Sequence, residues 1–322
     1  MSKELNYKKV FDTLVSELSN YITSNGIKAM ILGISGGIDS TVVAAICYEV
    51  SIRIGIPLIG RSLPIKNKED EFSVSKLVGE AFCNDFKIKN LQKSYQAALL
   101  DACLDEGEAN EANSYFLDEL ENMPSRTPIA NGNLQARCRN HHLYDLAGRK
   151  KGIVMSTDNQ SEYQLGFWTR HGDEGDYDPI MDLWKTEVYE LARWMVTYYQ
   201  NRAGSPDIKC WENRAWKAIA ESIKLTPTDG LGISNSDLDQ IGAKSYAEVD
   251  DILSRYIPFE EYRKNHRDIL HPHDEMAESD CWSQLCARHS SDVVEKVWNR
   301  HVSSEFKRKK SPIYIPRCKY EN

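Results

Sequence analysis

An apolar run, Ala29-Met30-Ile31-Leu32-Gly33-Ile34, breaks at Ser35-Gly36-Gly37 and continues at once into Ile38-Asp39-Ser40-Thr41-Val42-Val43-Ala44-Ala45-Ile46. The run reads as a buried parallel strand and the segment after it as a helix. Adjacent glycines at such a junction let the backbone approach a ligand with no Cβ in the way. The free N–H groups of the helix start then face an anion, which the helix dipole also favours. Ser35, Ser40 and Thr41 add hydroxyls. Asp39 puts a carboxylate where a phosphate would be repelled, an arrangement that makes sense with a divalent cation between them. The junction therefore suits a pyrophosphate with its metal. No Gly-Lys-Ser/Thr follows, so it is not a Walker loop. The third spaced glycine of a dinucleotide fingerprint is also absent. The plainer alternative is a Ser-Gly-Gly turn with no ligand.

The elements around the junction alternate. Phe11, Leu14, Val15, Leu18 and Ile22 fall on one face of a first helix. Strand candidates follow at residues 56–64 and 86–88, with a helix over 72–82 between them. This order predicts an α/β fold: a doubly wound, Rossmann-like parallel sheet covered on both faces. Residues 92–122 turn acidic and read as one or two surface helices anchored by Tyr95, Leu99, Leu100, Phe116 and Leu120. A helix over 131–148, a short strand at Ile153-Val154-Met155 and a helix from Lys185 to Tyr199 come next. Residues 211–322 show helices and loops without alternating strands. The chain is thus read as one domain over 1–322, with an acidic insertion at 92–122 and a mainly helical extension over 211–322.

Composition narrows the function classes. With 41% apolar and 27% charged residues, 322 residues can bury a core and stay soluble. A net charge of −8 argues against a general nucleic-acid footprint. None of the eight cysteines forms a Cys-x-x-Cys pair, so reduced thiols in the cytoplasm are the simplest account. No apolar stretch is long enough to span a bilayer. His141-His142 and His271-Pro272-His273 lack matching ligands and read as structural.

A second constellation gathers downstream. Asn131-Gly132-Asn133-Leu134-Gln135-Ala136-Arg137-Cys138-Arg139 opens a helix. Thr157-Asp158-Asn159-Gln160-Ser161-Glu162 follows the strand at Met155, and Gly166-Phe167-Trp168-Thr169-Arg170-His171-Gly172-Asp173 comes after it. Polar residues directly after parallel strands lie at the sheet's carboxyl edge, where open α/β folds bind ligands. Asp39 and Glu162 would share that rim and could share one magnesium. Read singly, Arg137 and Arg139 could be helix-surface charges, and Glu162 a first-turn carboxylate favoured by the helix dipole.

Taken together, these segments resemble the ammonia-dependent NAD synthetases, within the ATP pyrophosphatases of the adenine nucleotide alpha hydrolase-like fold. The likeness rests on the Ser-Gly-Gly-x-Asp-Ser loop, Gly-Asn-x-x-Ala-Arg-x-Arg, Thr-Asp-x-x-x-Glu and Gly-Phe-x-Thr-(Arg for Lys)-x-Gly-Asp, in that order. The resemblance implies that Gly33, Ile34, Ser35, Gly36, Gly37, Ile38, Asp39 and Ser40 hold ATP phosphates together with Thr228, and that Thr157 and Lys185 contact ATP. It implies Asp39 and Glu162 as Mg2+ ligands. Asn133, Arg137, Arg170, Asp176 and Lys307 would bind deamido-NAD. Arg170 stands where the family has Lys, Phe306 where it has His, and Asp176 and Asp178 compete for one role. Asp173, Asp176 and Lys185 are the catalytic candidates.

The implied reaction adenylates the nicotinate carboxylate of deamido-NAD with ATP and then admits ammonia, giving NAD, AMP and pyrophosphate. Only 34 residues precede Ser35, too few for an amidase domain, so free ammonia is the expected donor. A homodimer is implied, with neither nucleic acid nor membrane as partner. The alternatives are another ATP pyrophosphatase, amidating or thiolating a nucleotide or tRNA, and a non-catalytic ATP-binding module.

Overall fold

Helix α1 (Tyr7–Ser24) starts at Asn6, whose side chain accepts the Lys9 N–H at 3.1 Å. It buries Phe11, Val15, Leu18 and Ile22, the stripe read from the sequence. The chain is a computed structural model that describes residues 5–66, 72–111, 113–203, 212–226, 237–265 and 272–309. After α1 come β1 (Met30–Gly33), α2 (Ile38–Ile54), β2 (Leu58–Ser62), α3 (Ser73–Phe82) and β3 (Asp85–Ile88). Then follow α4 (Gln92–Asp105), α5 (Leu117–Glu121), α6 (Pro128–Lys150), β4 (Ile153–Met155) and α7 (Gln160–Leu165). The remaining long elements are the helices α8 (Lys185–Ala203), α9 (Glu212–Lys224), α10 (Tyr246–Asn265), α11 (Pro272–Arg288) and α12 (Ser291–Ser303), followed by the short α13 (Glu305–Arg308).

The four strands form one parallel sheet in the order β3-β2-β1-β4. Side chains of β1 alternate between two separate cores. Met30 and Leu32 join α1, α2, α3, α8 and α9, whereas Ile31 joins α4, α5 and α6. A strand apolar on every residue is what burial on both faces requires. The order reverses at β1, whose neighbours β2 and β4 lie on opposite sides, and a crevice opens there above the carboxyl ends.

The acidic stretch at 92–122 packs more deeply than a solvated surface helix would. Tyr95, Leu99, Cys103, Leu117 and Leu120 are buried against the second face of the sheet. Phe116, expected as an anchor, is 78% exposed; Leu117, one residue on, takes the inward position. Helices α10 and α12 enclose a third core with Leu165 at the end of α7. The C-terminal helices thereby mount on the rim of the sheet. Among the described residues, no helix is long and apolar enough to cross a membrane.

Candidate active site

The crevice is a cleft of about 460 Å³ lined by three carboxyl ends of the sheet, by α3, α6 and α8, by Phe167, Gly172 and Asp173, and by residues 225–226. The β1–α2 turn contributes Gly33, Ile34, Ser35, Gly37, Ile38, Asp39 and Ser40. Gly36 lies behind them, at φ +90, and a Cβ there would meet the Ser75 nitrogen of α3 at 2.7 Å. No residue with a side chain fits that space. Its carbonyl accepts the Ser222 hydroxyl of α9 at 2.8 Å. The hydroxyls of Ser40 and Thr41 turn back to Gly37 O at 3.0 and 2.9 Å. Thr41 is fully buried and also meets Ser222 at 2.7 Å, so it secures the turn from beneath and does not line the cleft.

Asp39 and Glu162 converge although they are 123 positions apart in the chain. Lys185 Nζ lies 2.5 Å from Asp39 Oδ2 and 2.7 Å from Glu162 Oε1. Asn159 ties the same pair. Its amide donates to Asp39 Oδ1 at 2.9 Å, while its own Oδ1 accepts the Glu162 N–H at 3.1 Å as the N-cap of α7. Burial works against the charge of Lys185, but Asp39 and Glu162 outweigh it and hold its pKa well above the ordinary lysine value. A niche that holds one cation between two carboxylates suits a divalent ion that also keeps oxygen ligands from its substrate. Among the described residues no group of three or more His, Cys, Asp or Glu is arranged to hold a metal ion, so the two carboxylates would supply only part of a shell.

Thr157 and Asp173 also line the cleft. Asp173 is open to solvent there, and its Oδ2 accepts the Thr169 N–H at 2.6 Å. Although the residue is exposed, the protein packed around its carboxylate desolvates it enough to raise its pKa from the ordinary value, against the Thr169 hydrogen bonds and the charges of Arg139 and Lys307. Two further residues, Asp158 and Arg139, line the cleft. Buried Asp158 is pushed far up by desolvation and by the neighbouring carboxylates, Asp173 first. Asp178, outside the cleft lining, is pushed up to about 7 by burial although its Oδ1 accepts the Ile180 N–H at 3.0 Å. Arg139 lines the cleft and donates to Leu63 O at 3.1 Å. Asn159 could have been found as the Asn-x-x-Glu signature of a capped helix. Nothing local in the sequence separates Arg139 from Arg137.

The residues assigned to the acceptor lie around the cleft and not in its lining. Arg137 is exposed and donates to Arg170 O at 3.3 Å. Asn133 accepts the Thr169 hydroxyl at 2.8 Å. Arg170 donates to the carbonyls of Phe306, Lys307 and Lys309. Lys307 donates to Gly166 O and Trp168 O at 2.7 and 2.5 Å. Asp176 covers the open edge of β4: its Oδ2 accepts the Val154 N–H at 2.8 Å and Oδ1 the Tyr144 hydroxyl at 3.3 Å. Thr228 lies outside the described residues.

The NAD synthase family model matches residues 10–311. The chain belongs to the NAD synthase family. Among curated NAD synthases, the NH(3)-dependent NAD(+) synthetase of Methanoregula boonei is 33% identical over 232 residues, covering 70% of this chain and 74% of that one. The enzyme of the same name from Wolinella succinogenes is 27% identical over 311 residues and 96% of each chain. Among solved structures, NMN synthetase from Francisella tularensis superposes with a TM-score of 0.67 at 22% identity, over 98% of this chain and 100% of that one. The NH3-dependent NAD synthetase of Campylobacter jejuni gives 0.57 at 20% identity, over 97% and 100%. The shared fold is the Rossmann-like adenine nucleotide alpha hydrolase type, and the family's enzymes are ligases that form a C–N bond.

Proposed function

We propose that this chain amidates deamido-NAD with ammonia at the expense of ATP, giving NAD, AMP and pyrophosphate. The observation that carries the reading is the meeting of Asp39 and Glu162 on one ammonium beside the glycine turn. A carboxylate resists ammonia because its leaving group would be oxide. Attack of the nicotinate carboxylate oxygen on the α-phosphorus of ATP expels pyrophosphate and leaves an acyl adenylate. Ammonia then adds to the carbonyl and AMP departs with that oxygen. No protein nucleophile is required; the chain supplies position and charge.

The backbone N–H groups at the start of α2, with Ser35 and Ser40, would take the ATP phosphates. Mg2+, held by Asp39 and Glu162 together with phosphate oxygens, would offset the charge that develops on the leaving pyrophosphate. Lys185 would turn from the carboxylates to those phosphates. Asp173, open to the cleft and with its pKa raised, is placed to take a proton from ammonium. The acceptor would lie along the 166–173 loop, beside Asn133, Arg137 and Arg170. The described cysteines are free thiols, which supports a reducing, cytoplasmic setting. A homodimer follows from the family resemblance.

The test is release of pyrophosphate with ATP, Mg2+ and ammonium, comparing deamido-NAD with nicotinate mononucleotide as acceptor. Amide formation with kcat/KM at least tenfold higher for deamido-NAD is expected. Preference for the mononucleotide would contradict the acceptor assignment. ATP binding without pyrophosphate release would make the chain a regulatory module.

A further inference from the structure

The carboxyl end of α7 is capped from a distant part of the chain. A helix leaves its last carbonyls without intrahelical donors, and here residues 300–308 supply them. Arg300 Nε donates to Leu165 O at 3.0 Å, and Arg308 Nη1 to Gln164 O at 2.7 Å. His301 Nδ1 lies 3.0 Å from the same Gln164 oxygen, which makes it the protonated ring nitrogen. Lys307 Nζ bonds both Gly166 O and Trp168 O. Cations at this end also complement the helix dipole, and charged donors make the stronger hydrogen bonds. The grip is reciprocal, because Arg170 returns hydrogen bonds to the carbonyls of 306, 307 and 309. Gly166 is left-handed at φ +67 and presses against Ser304.

What this end of α7 holds matters to the cleft. Gly166 caps the helix with its N–H directed to Glu162 O and Tyr163 O, and Phe167 N donates to Glu162 O at 3.0 Å. Glu162, which meets Lys185, sits only two residues before Gln164, the first carbonyl the clamp holds, about 3 Å along this six-residue helix. On the other side, the same loop runs through Thr169, whose N–H orients Asp173. Neither Lys307 nor Arg308 lines the cleft.

We infer that residues 300–308 are a positioning clamp: Arg300, Lys307 and Arg308 fix the end of α7 and the 166–170 loop, and so set Glu162 and Asp173 in place. Lys307 takes part in the clamp through its hydrogen bonds to Gly166 O and Trp168 O. The kinetic part of this inference rests on the amidation proposed above.

The experiment compares Arg308→Ala, Arg308→Lys and the unaltered chain by steady-state kinetics and by hydrogen exchange of the amides of 163–170. Arg308 is chosen because its hydrogen bonds go to Gln164 O, Ser304 and His301 O, away from the substrates. Arg308→Ala is expected to lower kcat about tenfold to a hundredfold, the size of effect that a small misplacement of reacting groups produces. Its KM for ATP should stay within twofold, because the glycine turn is not part of the clamp. Exchange should quicken at 163–170 and not at 37–41, and Arg308→Lys should recover part of both effects. A kcat within twofold of the unaltered chain would overturn the inference. So would exchange that quickens uniformly along the chain, which would make Arg308 a general stabiliser. An unaltered chain with no amidating activity would contradict the proposed function, while the exchange pattern alone would still decide the clamp.

Discussion

Lys185 concentrates the energetics of the site in one side chain. It is 2% exposed and holds two carboxylates that would otherwise face each other at the cleft wall. Removing one partner of a buried ionic group costs about 3–5 kcal/mol, because the remaining charges stay desolvated and unpaired. Lys185→Met is therefore predicted to lower the unfolding free energy by about 3 kcal/mol without Mg2+. Millimolar Mg2+ should restore part of it by occupying the same niche. Thermal melts with and without Mg2+ check this, and an equal Mg2+ response in both proteins would remove the shared-cation reading. Asp178 gives a pH signature. Its pKa rises from 3.8 to about 7 in the folded chain, so between these values the folded state keeps a proton that the unfolded state has lost. That contribution is largest at low pH and is lost as pH rises through 7. Relative to Asp178→Asn, the unaltered chain should lose on the order of 2 kcal/mol of stability between pH 5 and pH 8, measured by denaturant unfolding.

At the scale of elements, the strand–turn–helix junction is the most constrained piece. Gly36→Ala would force a Cβ onto the backbone of α3 and strain a positive φ. A loss of about 2 kcal/mol is predicted, together with a higher KM for ATP as the turn shifts off Ser222. A variant of parental stability and KM would contradict the packing described. This junction, β4 and the stripe on α1 were legible in the sequence because period and turn chemistry fix them locally. Helix rotation was not. Arg137 and Arg139 are two residues apart, about 200° around α6, so only one can face the cleft. A shared motif does not say which, and packing of α6 on Ile31 and Val154 selects Arg139. Asp176 shows the same limit. Nothing in its motif shows that a Cβ at 175 would meet Ser156 N at 2.6 Å, so that the segment is pressed on β4 and the Asp176 carboxylate pairs with its edge. Phe116 and Leu117 differ by one residue, which is enough to exchange inside for outside at the start of a short helix.

Across the whole molecule, three cores meet at one cleft. The sheet and its two helical layers aim the carboxyl ends of β1, β2 and β4 at the same space, and the C-terminal helices brace α7 from outside. The catalytic contribution of such an assembly is the alignment of a carboxylate oxygen with the α-phosphorus of ATP. Oxygen isotope transfer tests that alignment directly. Deamido-NAD labelled with 18O in its nicotinate carboxylate is turned over with ATP, Mg2+ and ammonium, and the AMP is analysed by mass spectrometry. One labelled oxygen should appear in each AMP formed, carried over through the acyl adenylate. Unlabelled AMP, with the label instead in orthophosphate or pyrophosphate, would contradict it.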